Sequence, residues 1–268
     1  MTLRPLTFIG SSGSHLDIAR ALGDELTADV DPSVWDKGVF GLASNTIDEL
    51  CSIASQADLA VFVFGADDVA LVRDNLHVVP RDNVVFELGM FIGALDRARA
   101  FFVIPRSMSD LHVPTDLAGV TSAHFDPALK TTDPHASVRG AANDIRAAIA
   151  KLRAKHNLSG KWTHRWTSPD GREHPCDLDL LQLGKHLRGE YQWDGLPFEI
   201  RGRIERGNLV TAQYRSLHGE QGYSGTLHMV INPDGRKVSG KWAGWSFNSN
   251  RSDVNMGSCK WERLPEHA

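Results

Sequence analysis

The sequence predicts an α/β domain built on a parallel sheet, followed by an all-β antiparallel barrel of about eight strands. Three observations lead there. Apolar strand-like runs alternate with helical stripes up to residue 157, as in a parallel sheet covered by helices. Beyond it, short strand-like segments recur at regular spacing between turn signals. Composition shifts at the same place: six of the seven tryptophans and 14 of the 24 glycines lie after it. Charge divides there too, with 14 basic and 20 acidic residues in 1–157 (net −6) against 15 and 13 in 158–268 (net +2). Two domains, 1–157 and 158–268, suit a chain of 268 residues.

In the first domain Leu6–Ile9 reads as a short buried strand. Ser14 follows as an expected N-cap, with Asp17 three residues on and a stripe of Ile18, Ala19, Leu22 and Leu26. The continuous apolar runs Leu59–Phe64 and Ala100–Ile104 fit central strands covered on both faces. Between them Arg81–Leu95 reads as a helix, capped by Asp82 or Asn83, with Val84, Leu88, Phe91, Ile92 and Leu95 on its buried face. Asp126–Ala136, with two prolines, is a loop into a last amphipathic helix at Ser137–Lys155.

In the second domain the expected strands are Gly160–Thr167, Asp177–Leu183, Leu187–Trp193, Phe198–Glu205, Leu209–Ser216, Gly222–Ile231, Lys237–Phe247 and Gly257–Arg263. Turns such as Pro169-Asp170-Gly171 and Asn232-Pro233-Asp234-Gly235 separate them. A closed barrel is favoured because closure removes exposed strand edges.

The totals exclude several classes. A net charge of −4 and a pI near 6.3 argue against a partner that is a nucleic-acid duplex or an anionic membrane. Three widely spaced cysteines, Cys51, Cys176 and Cys259, form neither a disulfide framework nor a zinc pattern. With no leader-like start and no run of membrane-spanning length, a cytoplasmic home is expected.

Ligands of parallel α/β sheets bind at the C-terminal ends of strands, which singles out three segments. Gly10-Ser11-Ser12-Gly13-Ser14 follows the first strand and offers backbone amides to phosphate or ribose, although it equally suits a plain turn. Asp67 and Asp68 follow the second apolar run, where they would hold ribose hydroxyls or cap the next helix. In the third, Glu87 lies on the edge of the buried face of its helix; such a carboxylate either pairs with a cation, Arg81 or Arg97, or looks into a cleft. Gly89 and Gly93 leave an open groove on the far side.

The run Arg81–Gly93, with Phe8-Ile9-Gly10-Ser11-Ser12, Val34-Trp35-Asp36-Lys37-Gly38-Val39-Phe40 and Phe62-Val63-Phe64-Gly65-Ala66-Asp67-Asp68, resembles the bacterial TIR-like nucleotide-binding family, the effector half of TIR–STING fusions in antiphage defence. The resemblance covers roughly residues 4–126. It implies a flavodoxin-like sheet and cleavage of the nicotinamide–ribose bond of NAD, with NAD as substrate and neither cofactor nor metal. The family's catalytic glutamate corresponds to Glu87, and Phe8, Gly10, Ser11 and Ser12 would frame the ribose–phosphate site. Trp35 and Phe40 would stack on a ring of NAD, with Arg81 and Asn83 among the substrate-binding residues. The loop bearing Trp35 often completes a neighbouring subunit's site in this family, which implies a homo-oligomer or filament on activation.

After residue 157 the chain departs from TIR–STING, with no STING-like helical segment. Leu158-Ser159-Gly160-Lys161-Trp162 and Ser239-Gly240-Lys241-Trp242 look like calycin or avidin-type barrel strands. Small barrels hold one ligand, so the second domain reads as the sensor of a cyclic di- or trinucleotide. Phosphate wants Arg or Lys and a base wants aromatics, which gives the pool Trp162, Arg201, Arg203, Tyr214, Tyr223, Lys241, Trp242, Trp245, Asn248 and Arg251. Core packing is the competing role for each aromatic. The contrasting readings are a non-catalytic signalling scaffold whose barrel binds protein, an enzyme acting on another N-glycosidic substrate, and a barrel for a biotin-like or lipid-like molecule.

Overall fold

The computed structural model describes residues 3–36, 46–72, 74–108, 110–153, 157–217, 222–246 and 254–265. The chain divides into two compact units, one spanning Arg4–Lys151 and the other beginning at Leu152.

The first unit is a five-stranded parallel sheet: β1 (Leu6–Ser11), β2 (Asp31–Val34), β3 (Leu59–Val63), β6 (Ala100–Pro105) and β7 (Thr121–Phe125). Their order across the sheet is β2-β1-β3-β6-β7. A hairpin, β4 (Asp68–Val72) with β5 (Asn75–Val79), stands apart from that sheet. With the hairpin set aside the order is 2-1-3-4-5, the doubly wound flavodoxin-like arrangement, whose switch point lies between β1 and β3. All five β3 residues are buried, as the unbroken apolar run requires of a strand covered on both faces. Helices α1 (Leu16–Leu26), α2 (Thr46–Gln56), α3 (Asp82–Leu95) and α4 (Pro134–Arg153) complete the unit. No helix among the described residues is long and apolar enough to cross a membrane.

Three local expectations fail, each for a reason of its own. Ser14 does not cap α1: it lies in a 3-10 turn, Gly13–His15, and its hydroxyl is turned to Asp67. Neither Asp82 nor Asn83 caps α3, since the N-cap position is Arg81 and no side chain accepts there. Asp67 and Asp68 cap no helix, because the chain runs next into β4. The hairpin carries apolar residues outward, with Val69, Leu71 and Leu76 exposed, so period-2 burial never marks it in the sequence.

The second unit is a closed eight-stranded antiparallel barrel of β8 (Gly160–Thr167), β9 (Glu173–Leu183), β10 (His186–Trp193), β11 (Leu196–Glu205), β12 (Leu209–Ser216), β13 (Tyr223–Ile231), β14 (Lys237–Ser246) and β15 (Asn255–Arg263). Each strand pairs with the next, and β15 pairs back onto β8, so no edge is left open. Alternation sorts the side chains: Trp162, His164 and Trp166 of β8 point inward while Lys161 is exposed. Half of the interior is dry packing around Trp162 and Trp261, both fully buried. The other half is aromatic and encloses a cavity.

Candidate active site and barrel cavity

The loop after β1 and the start of α3 face each other at the switch point and bound a pocket of 460 Å³. Ser11, Ser12 and Gly13 form one wall; Arg81, Asn83, Val84 and Glu87 form the other, and Trp35 closes a third side. Trp35 is fixed at the end of β2 by its backbone amide on Ile9 O and by its indole N–H, which donates to Ser11 Oγ at 2.9 Å.

Asp67 holds this arrangement together. Its Oδ1 accepts from Ser12 Oγ at 2.7 Å, from Ser14 Oγ and from His15 Nδ1 at 3.2 Å. Its Oδ2 receives the Arg81 amide at 3.4 Å, so one carboxylate ties the β1 loop to the head of α3. Burial acts to raise the Asp67 carboxyl, but the Ser14 and Ser12 hydroxyls and His15 outweigh it and hold the group below its ordinary value. Burial, helped by Lys130, holds His15 below its ordinary value against the pull of Asp67, so at neutral pH the pair is a hydrogen bond rather than an ion pair. The imidazole lies where a side chain on residue 65 would be: a Cβ on Gly65 would fall 1.8 Å from His15 Cε1.

Glu87 is different. Among the described residues its carboxyl has no hydrogen bond and no ion pair. Neither Arg81 nor Arg97 takes it, and Arg81 Nε lies 3.3 Å from Asp68 instead. With no partner to offset it, burial pushes the Glu87 carboxyl up to about 7. A half-buried acid poised near neutrality in a pocket is the environment of a functional carboxyl.

The other expected site residues separate. Phe8 is in the core, stacked on Phe91 at 4.8 Å, and does not line the pocket. Gly10 serves that core, since a Cβ there would meet Phe62 at 2.5 Å. Asp67 and Asp68 do not line the pocket either, but act on its walls. Phe40, Asn248 and Arg251 lie outside the described residues, as does the side chain of Trp245. Sequence reasoning passed over His15, whose only signal was its position in a Gly/Ser turn.

The barrel cavity measures 160 Å³ and is walled mainly by Trp166, Tyr191, Trp193, Phe198, Tyr214, Tyr223 and Trp242. Of the candidate pool, Tyr214, Tyr223 and Trp242 line the cavity, whereas Trp162 does not: it is fully buried, its indole N–H donating to Leu158 O at 2.8 Å. Arg201 and Arg203 share the outer face of β11, opposite to Phe198 and Ile200. Arg201 pairs with Glu199 at 2.8 Å, Arg203 is exposed, and Lys241 is exposed on β14. Tyr214 fits across the wall because Gly244 leaves room; a Cβ there would fall 2.1 Å from its hydroxyl.

The first unit is a doubly wound parallel α/β domain with a pocket at its switch point, the place where ligands of such sheets bind. Residues 7–127 match the family described as CAP12/Pycsar effector protein, TIR domain. The Pycsar effector protein PaPycTIR of Pseudomonas aeruginosa is 34% identical over 149 residues, 55% of this chain and 48% of that protein. CD-NTase-associated protein 12 of Lachnospiraceae bacterium (strain RUG226) is 30% identical over 146 residues, 54% of this chain and 44% of that one. The chain thus spans less than half the length of either relative. Among solved structures, a redesigned β-barrel matches 44% of this chain and 96% of its own at 15% identity and a TM-score of 0.29, too slight a likeness to relate the two barrels.

Proposed function

We propose that this chain is an antiphage effector whose TIR domain cleaves the nicotinamide–ribose bond of NAD, and whose barrel switches that activity on when it binds a cyclic oligonucleotide. The observation that carries the reading is Glu87: an unpartnered, half-buried carboxyl in the switch-point pocket, beside a tryptophan and two serines. The relatives' descriptions as Pycsar and CD-NTase-associated effectors support the setting.

The chemistry suits those side chains. Breaking the bond from C1′ of the ribose to the nicotinamide nitrogen sends the electron pair to that nitrogen, neutralises the pyridinium and leaves an oxocarbenium-like ribose. Ionised Glu87 stabilises that developing positive charge, most strongly in a pocket with little water. Water then adds at C1′ and releases a proton, giving ADP-ribose and nicotinamide. Ser11 and Ser12 offer hydroxyls and the following turn offers amides to the ribose–phosphate portion, while Trp35 offers a ring face to a base. Assembly into a homo-oligomer on activation belongs to the same proposal.

The test is nicotinamide release from NAD by the purified chain, alone and with a panel of cyclic di- and trinucleotides. Release that depends on one messenger and disappears in Glu87→Gln is expected. Silence across the panel by folded protein overturns the reading in favour of a non-catalytic signalling domain.

A further inference from the structure

Cyclic oligonucleotides are polyanions, yet no lysine or arginine lines the barrel cavity among the described residues. Its wall is aromatic, and its polar groups are neutral ones. At 160 Å³ it is close to the cavity of about 150 Å³ that accommodates a single benzene ring, and well below the roughly 300–1,000 Å³ of sites that hold drug-sized ligands. A whole dinucleotide does not fit there. One ring does.

The polar groups say what kind of ring. Trp261 Nε1–H donates to His164 Nδ1 at 2.8 Å, and an indole nitrogen only donates, so Nδ1 is bare and the proton sits on Nε2. His164 is buried and lines the cavity, and its Nε2–H has no partner among the described residues. The hydroxyls of Tyr191 and Tyr214, also in the wall, have none either. Burial keeps all three groups neutral across the physiological range. A donor fixed in the cavity wall and without a protein partner is matched by an acceptor on the ligand. It also repels a cation, which sets this box apart from the aromatic cages that hold quaternary ammonium groups.

We propose that the barrel cavity binds one uncharged planar heteroaromatic ring of nucleobase size, with an acceptor on its edge facing His164. Any phosphate attached to that ring stays at the mouth, where Ser168 and Asn255 stand. The ring's source is either a free base or nucleoside, or one base of a cyclic nucleotide; the second case rests on the proposed function above and deepens it to one base per barrel.

The experiment is calorimetric titration of the full chain, with tryptophan fluorescence in parallel. The probes are the four common bases and their nucleosides, cyclic di- and trinucleotides, pyrophosphate and tetramethylammonium. The comparison protein is Tyr191→Phe/Tyr214→Phe, which keeps the ring packing and removes two hydroxyls. Saturable binding of a base-bearing probe that quenches tryptophan and weakens about tenfold in the double variant is expected, with pyrophosphate and tetramethylammonium inert. Cyclic nucleotides that bind both proteins equally and without quenching overturn the cavity proposal while sparing the messenger reading. A base or nucleoside that binds as expected where no cyclic nucleotide does keeps the proposal and removes the messenger reading. No binding by any base-bearing probe, or binding of tetramethylammonium, overturns it.

Discussion

Ser12 donates to Asp67 across 55 positions of chain, at 2.7 Å, and through it the loop after β1 is joined to Arg81, the N-cap residue of α3. The pocket's two walls are held at a fixed spacing by one carboxylate that itself stays out of the pocket.

Asp67→Asn keeps the shape but halves the accepting capacity where several donors converge. Stability is expected to fall by about 1–3 kcal/mol, the usual cost of leaving buried donors unsatisfied. Nicotinamide release should fall with it through misplacement of Ser12. Urea denaturation and turnover on the same preparation check this, and unchanged stability would show that the carboxylate is not the clamp.

Glu87 gives a pH signature opposite to that of a salt-bridged acid. Its folded value, about 7, stands above the ordinary 4.5, so the fold favours the neutral carboxyl. That contribution is complete below 4.5 and is lost as pH rises through 7. Glu87→Gln should therefore melt at a higher temperature than the parent at pH 8, with the gap closing at pH 5. Turnover by the parent should climb through the same window as the carboxylate forms. Melting curves that run parallel at both pH values would contradict this.

The barrel responds in the other direction. Burial pushes His164 down to about 3 from 6.5, so its stabilising contribution is present above 6.5 and lost as pH falls toward 3. Acid unfolding followed by tryptophan fluorescence should set in below pH 6.5. His164→Gln, which keeps an acceptor for Trp261, should flatten that slope.

Arg203 points outward from β11, away from the cavity. Arg203→Ala is expected to leave ligand affinity within about twofold, as an exposed charge remote from a site should. Trp242→Leu, which removes a cavity wall, should weaken it by at least tenfold, about 1.4 kcal/mol. Equal effects from the two would place the ligand on the outer surface.

Much of this was legible in the sequence because the signals were periodic. Strands Gly160–Thr167 and Leu209–Ser216 stand where alternation puts them, and the helix read at Arg81–Leu95 is Asp82–Leu95. What stayed hidden depended on partners far along the chain. Asp67 read as a ribose-binding or helix-capping residue because its donors, Ser12, Ser14 and His15, lie more than fifty positions upstream. Which face of β11 looks inward is likewise fixed by barrel closure, not by the alternation of Arg201 and Arg203 with Phe198 and Ile200. The hairpin Asp68–Val79 had no readable period because Val69, Leu71 and Leu76 face solvent.

Arg263, the last residue of β15, pairs with Trp162 near the start of β8, so the barrel's entry and exit lie side by side. A module whose two ends meet is easily transplanted: it can be joined to a new host through one terminus, or spliced into a surface loop, without disturbing a strand register on either side. Recombination between genes can then exchange the barrel while leaving the host domain untouched, and the same seam is where an engineered fusion would be cut.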